Sequence, residues 1–584
     1  VGRYVAIYDK LVAANDEFAQ MAMEHQVLDK ESRFHGGVVD PANGLAWPSH
    51  GGTPKDMATW ACALVNKDSR FYHDDELVHR LELAAEFMLR SQHEDGSISP
   101  PWTNLHSPPD TAFVVSGLAQ VYALLSSHAD RYERLQKVVA DIYTFLERTI
   151  PVLLTGGCHT PNHRWVISSA LGFMYKLTGR KELKARAEEW IAEGMDCTED
   201  GEWTERSNGI YNAVSNIVLY YAAEQLERPE LLEPVRRNLR MMAYLVHPDG
   251  EVVTDYSGRQ DFGHAHDMSG YFLCAKLMAH RDQDPLFEAL AELAGRSLKH
   301  PGGLPNHALL GLLRYPKLLE STVEASALPD SYGVILNGGF AREHYLSGME
   351  AAGHHGRIYH SKLHPDFGAP IARYRRGATS TTVMTETNSF FALRHGAVRL
   401  LGVQIASSFG PGFVKPSRLE TLDQGVRLSA LEKKGYYGPV SKEDLPETAS
   451  GLVSPWYLLP HHLRKVTHEQ QHQVEIMLEE TERGWSIRVR CQREEPILTQ
   501  ISFVLGKEGV LAGGDLEQIA GETYFWKQGP VRLAAGADWI ELEGGAYEHW
   551  AMGINNAGYP ADYRTLLVNV LTPYDRTFEL RLSR

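Results

Sequence analysis

The chain of 584 residues carries a formal net charge of −16, with 43% hydrophobic and 23% charged residues. That length exceeds one ordinary core and calls for two or three domains, and the acidic balance excludes a general nucleic-acid binder, which would present a basic face. The cysteines Cys62, Cys158, Cys197, Cys274 and Cys491 show no C-x-x-C spacing, so neither a disulfide framework nor a thiolate zinc site is expected, only buried free thiols in a reducing compartment.

The opening segment, "VGRYVAIYDKLVAANDEF", reads as an amphipathic helix and not as a secretory signal. No apolar run approaches the roughly 20 residues that span a bilayer. A cytoplasmic or periplasmic protein without membrane attachment is the expectation.

From residue 1 to about residue 320 the pattern is helical and repeats. Apolar helices start near Thr53 ("GTPKDMATWACALV"), Ser107 ("HSPPDTAFVVSGLAQVYALL"), Thr160 ("TPNHRWVISSALGFMYKLTG"), Ser207 ("SNGIYNAVSNIVLYYAAEQL") and His264 ("GHAHDMSGYFLCAKLMAH"). Each start falls about 50 residues after the last, with a charged amphipathic helix between, as in "DDELVHRLELAAEFMLRSQ". This is the sequence of a helical-hairpin array. Closed into a toroid of five or six hairpins, it gathers the starts of the apolar inner helices on one face. Those starts carry Asp110, Asn162 with His163, Tyr211, and His264 with His266.

From about Ser331 the texture changes to alternating apolar and polar residues broken by Gly, Asn and Asp turns, as in "QVEIMLEETERGWSIRVRCQRE". The expected architecture is a multidomain chain, α then β: a helical toroid over residues 1–320, a linker near 321–332, and an antiparallel β-sandwich over 333–584.

Three inner-helix starts can be assembled into one site. Thr160 and Pro161 suit the beginning of a helix, which places Asn162, His163 and Arg164 on its first turn, at the end that favours anions. Asn162 and His163 can hold a carboxylate, Tyr211 arrives one hairpin later, and His264 or His266 one after that. The set suits β-elimination from a uronic acid. Binding the carboxylate stabilises the enolate-like transition state. A base then takes the C5 proton and an acid protonates the oxygen leaving C4, and a phenol can serve both steps where a neighbouring cation favours the phenolate.

The succession of helical repeats and β domain resembles the heparinase II/III-like and alginate-type polysaccharide lyases, which join an (α/α) toroid to an antiparallel β domain. The segment Asp200, Gly201, Trp203, Glu205, Ser207, Tyr211 is similar to the one that bears the family's catalytic tyrosine. The resemblance implies Asn162 or His163 as carboxylate neutraliser, Tyr211 as base and acid, and His264 or His266 in support. It implies no required cofactor, and the β region lacks an obvious version of the family's metal-binding pattern.

Further substrate contacts are expected from Arg164, Glu205 and Arg206, from sugar-stacking Trp102, Trp165 and Trp203, and from His360, His364, Arg373 and Tyr374 in "HHGRIYHSKLHPDFGAPIARYRRG". Each has a plainer reading: a tryptophan is a large core residue, Arg164 suits a structural ion pair, and a zinc site at His360, His364 and Asp366 is disfavoured by irregular spacing. The substrate is an acidic oligo- or polysaccharide, glucuronate-containing first and alginate-like second. Two rival readings stay open. One is a glycoside hydrolase on the same toroid, using paired carboxyls from Asp110, Glu205 and Asp261. The other is a non-catalytic carbohydrate-binding protein.

Overall fold

The computed structural model describes residues 2–100, 102, 104–352, 363–447, 455–554 and 562–584. The chain divides into two units: Val1–Pro329 with Gly339–Gly368, and Asp330–Gly338 with Ala369–Arg584.

The first unit is helical. Its helices are α1 (Gly2–His25), α2 (Thr53–Val65), α3 (Asp75–Ser91), α4 (Pro108–Ala129), α5 (Gln136–Arg148), α6 (Ile150–Thr155), α7 (His163–Thr178), α8 (Lys181–Ile191), α9 (Tyr211–Gln225), α10 (Leu232–Met242), α11 (Phe272–Asp282), α12 (Pro285–Ser297), α13 (Ala308–Arg314) and α14 (Arg342–Ala351), with a small hairpin of β1 (Val39–Asp40) and β2 (Leu45–Ala46). Helices α2, α4, α7, α9, α11 and α13 pack side by side as an inner ring, and α3, α5, α8, α10 and α12 lie outside it.

Local sequence explains the division. In α4 the Ser107 hydroxyl accepts from Asp110 N, and prolines fill the first turn. Every residue from Thr111 to Val121 is buried, which suits an inner helix with neighbours all round. In α3 the Asp74 carboxylate accepts from Leu77 N, and one face (Leu77, Val78, Leu81, Glu82, Ala84, Ala85, Phe87, Met88) is buried while Asp75, Glu76, His79 and Arg90 are exposed, as an outer helix needs. Pro108–Ala129 is long and apolar enough to cross a membrane by composition, at mean hydropathy 1.3, which corrects the expectation that no run approaches that length. Two-thirds of that window is buried inside the unit, so it is a core helix.

The ring closes through α13. His307 caps it, Nδ1 accepting from Leu310 N at 3.1 Å, while Nε2 meets Thr59 Oγ1 of α2 at 3.1 Å. From α13, Arg314 also reaches Gln120 of α4 at 2.9 Å. Helix starts agree with the sequence reading at Thr53 and next to Ser107. They come later elsewhere: α7 begins at His163, α9 at Tyr211 and α11 at Phe272, so His264 and His266 lie in the preceding loop.

The second unit is a curled sheet: β3 (Ser331–Leu336), β4 (Ile371–Arg376), β5 (Thr379–Met384), β6 (Ser389–His395), β7 (Val398–Ser407), β8 (Arg418–Leu422), β9 (Gly425–Tyr437), β10 (Val466–Thr481), β11 (Gly484–Cys491), β12 (Leu498–Leu505), β13 (Val510–Ala520), β14 (Thr523–Ala535), β15 (Asp538–Glu543), β16 (Arg564–Leu571) and β17 (Tyr574–Leu582). The order is β3-β4-β5-β6-β7-β12-β16-β14-β15-β17-β11-β10-β9-β8, with β13 beside β14. Pairing is antiparallel except for a short parallel stretch between β14 and β16. The expected sandwich is therefore built from one continuous sheet that folds over itself. Tyr374 on β4 packs edge-on to Trp485 on β11 at 4.9 Å, and Arg376 pairs with Glu480 on β10. Alternate residues such as Val474, Ile476 and Leu478 of β10 and Trp485, Ile487 and Val489 of β11 fill the core between.

Residues 339–368, read from sequence as part of the β region, belong to the helical unit. Gly368 N donates to the buried Glu202 carboxylate at 2.7 Å, and Asp366 faces Arg206 at 3.8 Å.

Candidate functional site

Two inner-helix starts, those of α7 and α9, converge on Arg259. Its guanidinium pairs with the Glu205 carboxylate and lies 4.1 Å over the Tyr211 ring. The same Glu205 carboxylate accepts from Asn162 N at 3.0 Å and from Asn162 Nδ2 at 2.6 Å. Burial holds the Glu205 carboxyl above the ordinary carboxylate range even with Arg259 beside it. Asn162 and His163 are both buried. Desolvation, with His159 and Arg259 near, pushes the His163 imidazole down to about 3, so it is neutral at ordinary pH. Its Nδ1 is buried without a partner among the described residues, as is Asn162 Oδ1.

Tyr211 is the first residue of α9 and is half-buried. Its backbone N–H donates to Ser207 Oγ at 3.1 Å, and Ser207 Oγ donates to Asp261 Oδ1 at 2.7 Å. The fully buried Asp261 also accepts from Ser257 Oγ at 2.6 Å and Gly209 N at 2.9 Å. One carboxylate thus ties the turn before α9 to the 257–261 loop. His266 lies against this turn: a Cβ at Gly209 would stand 2.9 Å from His266 Cγ, so position 209 needs a glycine for close approach. His264 is exposed on the same loop.

Other expected contacts fall elsewhere. Arg164 pairs with Asp196 at 2.9 Å and Glu193 at 3.2 Å and covers the Trp165 ring at 4.4 Å. Trp165 is fully buried and donates to Asp196, and Trp203 is buried and donates to Asn216 Oδ1 at 3.0 Å, so neither offers a face to a sugar. Arg206 is fully buried against Glu202 at 3.0 Å and over the Tyr256 ring, where it fastens the 366–368 segment. In the sheet unit Arg373 is fully buried, bonded to Ser380, Thr381 and Thr382, and Tyr374 packs on Trp485. His364 is buried in the 339–368 segment, its carbonyl accepting from Tyr345, and His360 lies outside the described residues. Among the described residues, no group of three or more His, Cys, Asp or Glu is placed to hold a metal ion. Trp102 is 67% exposed and meets Trp47 edge-on at 5.1 Å, in the wall of a cavity of about 500 Å³ beside the starts of α2 and α4.

Sequence reasoning missed Arg259, which lies in a polar loop with no helical period to mark it. It had the hydrolase carboxyls in view, but Glu205 and Asp261 are engaged as ion pair and hydrogen-bond hub. Asp110 is held by the Ser107 cap of α4, its carboxylate accepting from Ser107 Oγ at 2.5 Å and from Asn104 Nδ2 at 3.1 Å.

No family model matches the chain, and no curated protein sequence matches it. In fold it is similar to solved polysaccharide lyases that join a helical toroid to a β domain. Heparinase III aligns with a TM-score of 0.50 at 10% identity, over 99% of this chain and 84% of that one. A mutant of the heparan sulfate lyase HepC from Pedobacter heparinus aligns with a TM-score of 0.49 at 10% identity, over 97% and 83%. The Streptomyces coelicolor A3 chondroitin AC lyase in complex with chondroitin sulphate aligns with a TM-score of 0.48 at 12% identity, over 100% and 83%. At these identities the likeness is one of fold.

Proposed function

We propose that the chain is a polysaccharide lyase that cleaves uronate-containing glycans by β-elimination. The observation that carries this reading is the convergence of Tyr211, Arg259, Asn162, His163 and Glu205 at adjoining inner-helix starts. Tyr211, as the phenolate, takes the C5 proton, the C4–O bond breaks as the C4=C5 double bond forms, and the resulting phenol returns that proton to the departing oxygen. No water or redox partner enters the balance. Because Asn162 already donates to Glu205, the substrate carboxylate falls to Arg259 and the neutral His163, with the Asn162–Glu205 pair holding the guanidinium in place.

The test is a screen of acidic polysaccharides, glucuronate-containing first and alginate second, for products with the ultraviolet absorbance of an unsaturated uronate. Tyr211→Phe is expected to lower kcat at least about 1,000-fold with little change in substrate affinity. Unchanged turnover in that variant removes Tyr211 as the base. Products lacking the new absorbance return the reading to hydrolysis.

A further inference from the structure

The cavity at the starts of α2 and α4 has no part in the elimination chemistry, yet its walls are chemically distinctive. It lies between the end of α1, the β1–β2 hairpin, the first turn of α2 and the segment leading into α4.

Two features define what would fit. Trp47 and Trp102 stand edge-to-face, and the largely exposed Trp102 offers an apolar face the size of a pyranose ring. The same lining holds Asp40, Asp56 and Asp110 together with Lys55, His25 and His50. Carboxylates accept hydroxyl hydrogen bonds and repel a second anion. The Trp47 Nε1–H, a donor, and His50 Nδ1 are buried without partners among the described residues. A sulfated sugar would meet three carboxylates here, whereas the hydroxyls of an uncharged ring can donate to those carboxylates and accept from the Trp47 N–H and Lys55.

We infer that this cavity binds an uncharged, hydroxyl-rich pyranose of the glycan and disfavours a sulfated one. The inference rests on the lyase reading above for the word substrate, but the binding itself does not need turnover.

Calorimetric titration of the full chain carrying Tyr211→Phe, with unsulfated chondroitin tetrasaccharide and its 4-sulfated counterpart, tests it. The unsulfated probe is expected to bind at least ten-fold more tightly. Adding Trp102→Ala, at a largely exposed position, is expected to weaken it about ten-fold, and adding Asp110→Asn to narrow the discrimination against sulfate. Equal or tighter binding of the sulfated probe overturns the inference, as does an unchanged affinity in the Trp102→Ala variant or no binding of either probe. Full turnover with Tyr211→Phe beside the expected binding pattern would sink the elimination mechanism and leave this site standing.

Discussion

Arg259 touches both the phenol proposed as base and the carboxylate that fixes the asparagine. Replacing it with Gln removes the charge while keeping a donor. The loss expected in kcat/KM is on the order of 100-fold, as for other preorganised electrostatic groups, and Arg259→Lys should recover only part of it because a point charge cannot both pair and stack. His163 gives an independent residue-scale check. Its burial predicts that its ring resonances in labelled protein stay flat between pH 5 and 8, since the imidazole protonates only near 3. A titration midpoint near 6.5 would show the ring to be solvated, and its assignment as a neutral donor would fall.

Between α11 and α12, Lys276 and Glu288 form a pair that is fully buried on both sides, at 2.9 Å. Lys276→Met leaves the Glu288 charge stranded and is expected to cost about 3–5 kcal/mol in urea unfolding, while Lys276→Met with Glu288→Leu returns most of that loss. The elements also show what a sequence can display. The inner helices α2 and α4 were legible because Thr53-Pro54 and Ser107-Pro108 announce their starts and uniform apolarity marks them as surrounded. The later starts of α7, α9 and α11 were not. Asn162 at the α7 N-cap spends its side chain on Glu205 instead of capping, and Ser207 caps α9 from four residues upstream. Helix α13 escaped notice because seven residues show barely two turns of period, and its role as ring closure depends on a histidine reaching another helix. In the sheet, alternation disclosed the strands but not that two facing layers are one sheet. Arg206 and Trp165 read as ligand contacts because type and spacing cannot report burial.

Across the whole molecule, two buried histidines weaken the fold as acid is added. Burial pushes His163 and His307 both down to about 3. Below about pH 6.5 the unfolded chain takes up protons that these rings refuse when folded, so stability falls as the pH drops from 6.5 toward 3. From pH 7.5 to 5.5 the loss is about 1 kcal/mol per histidine. Asp56 works the other way. Burial raises its carboxyl to about 6 from an ordinary 3.8, so the penalty of its charge is full above pH 6 and fades as the pH falls toward 3.8. The buried His472, held up to about 9 beside Cys491 and Glu432, also gains stability as the pH falls, so the two lowered rings are read by difference. Urea unfolding of His307→Gln should lose less stability between pH 7.5 and 5.5 than the unaltered chain does, and an identical loss would contradict the buried, neutral state of His307.

The Glu202–Arg206 anchor for residues 366–368 governs how the polypeptide can be divided. The chain passes from the helical unit into the first strand of the sheet, returns for residues 339–368, and leaves again. A cut after residue 329 therefore amputates part of the helical unit along with the sheet, exposing groups beside the very turn that carries Tyr211. Separate expression of the helical unit would have to carry 339–368 back in through a grafted connection. Evolutionary shuffling of the β unit meets the same topological lock.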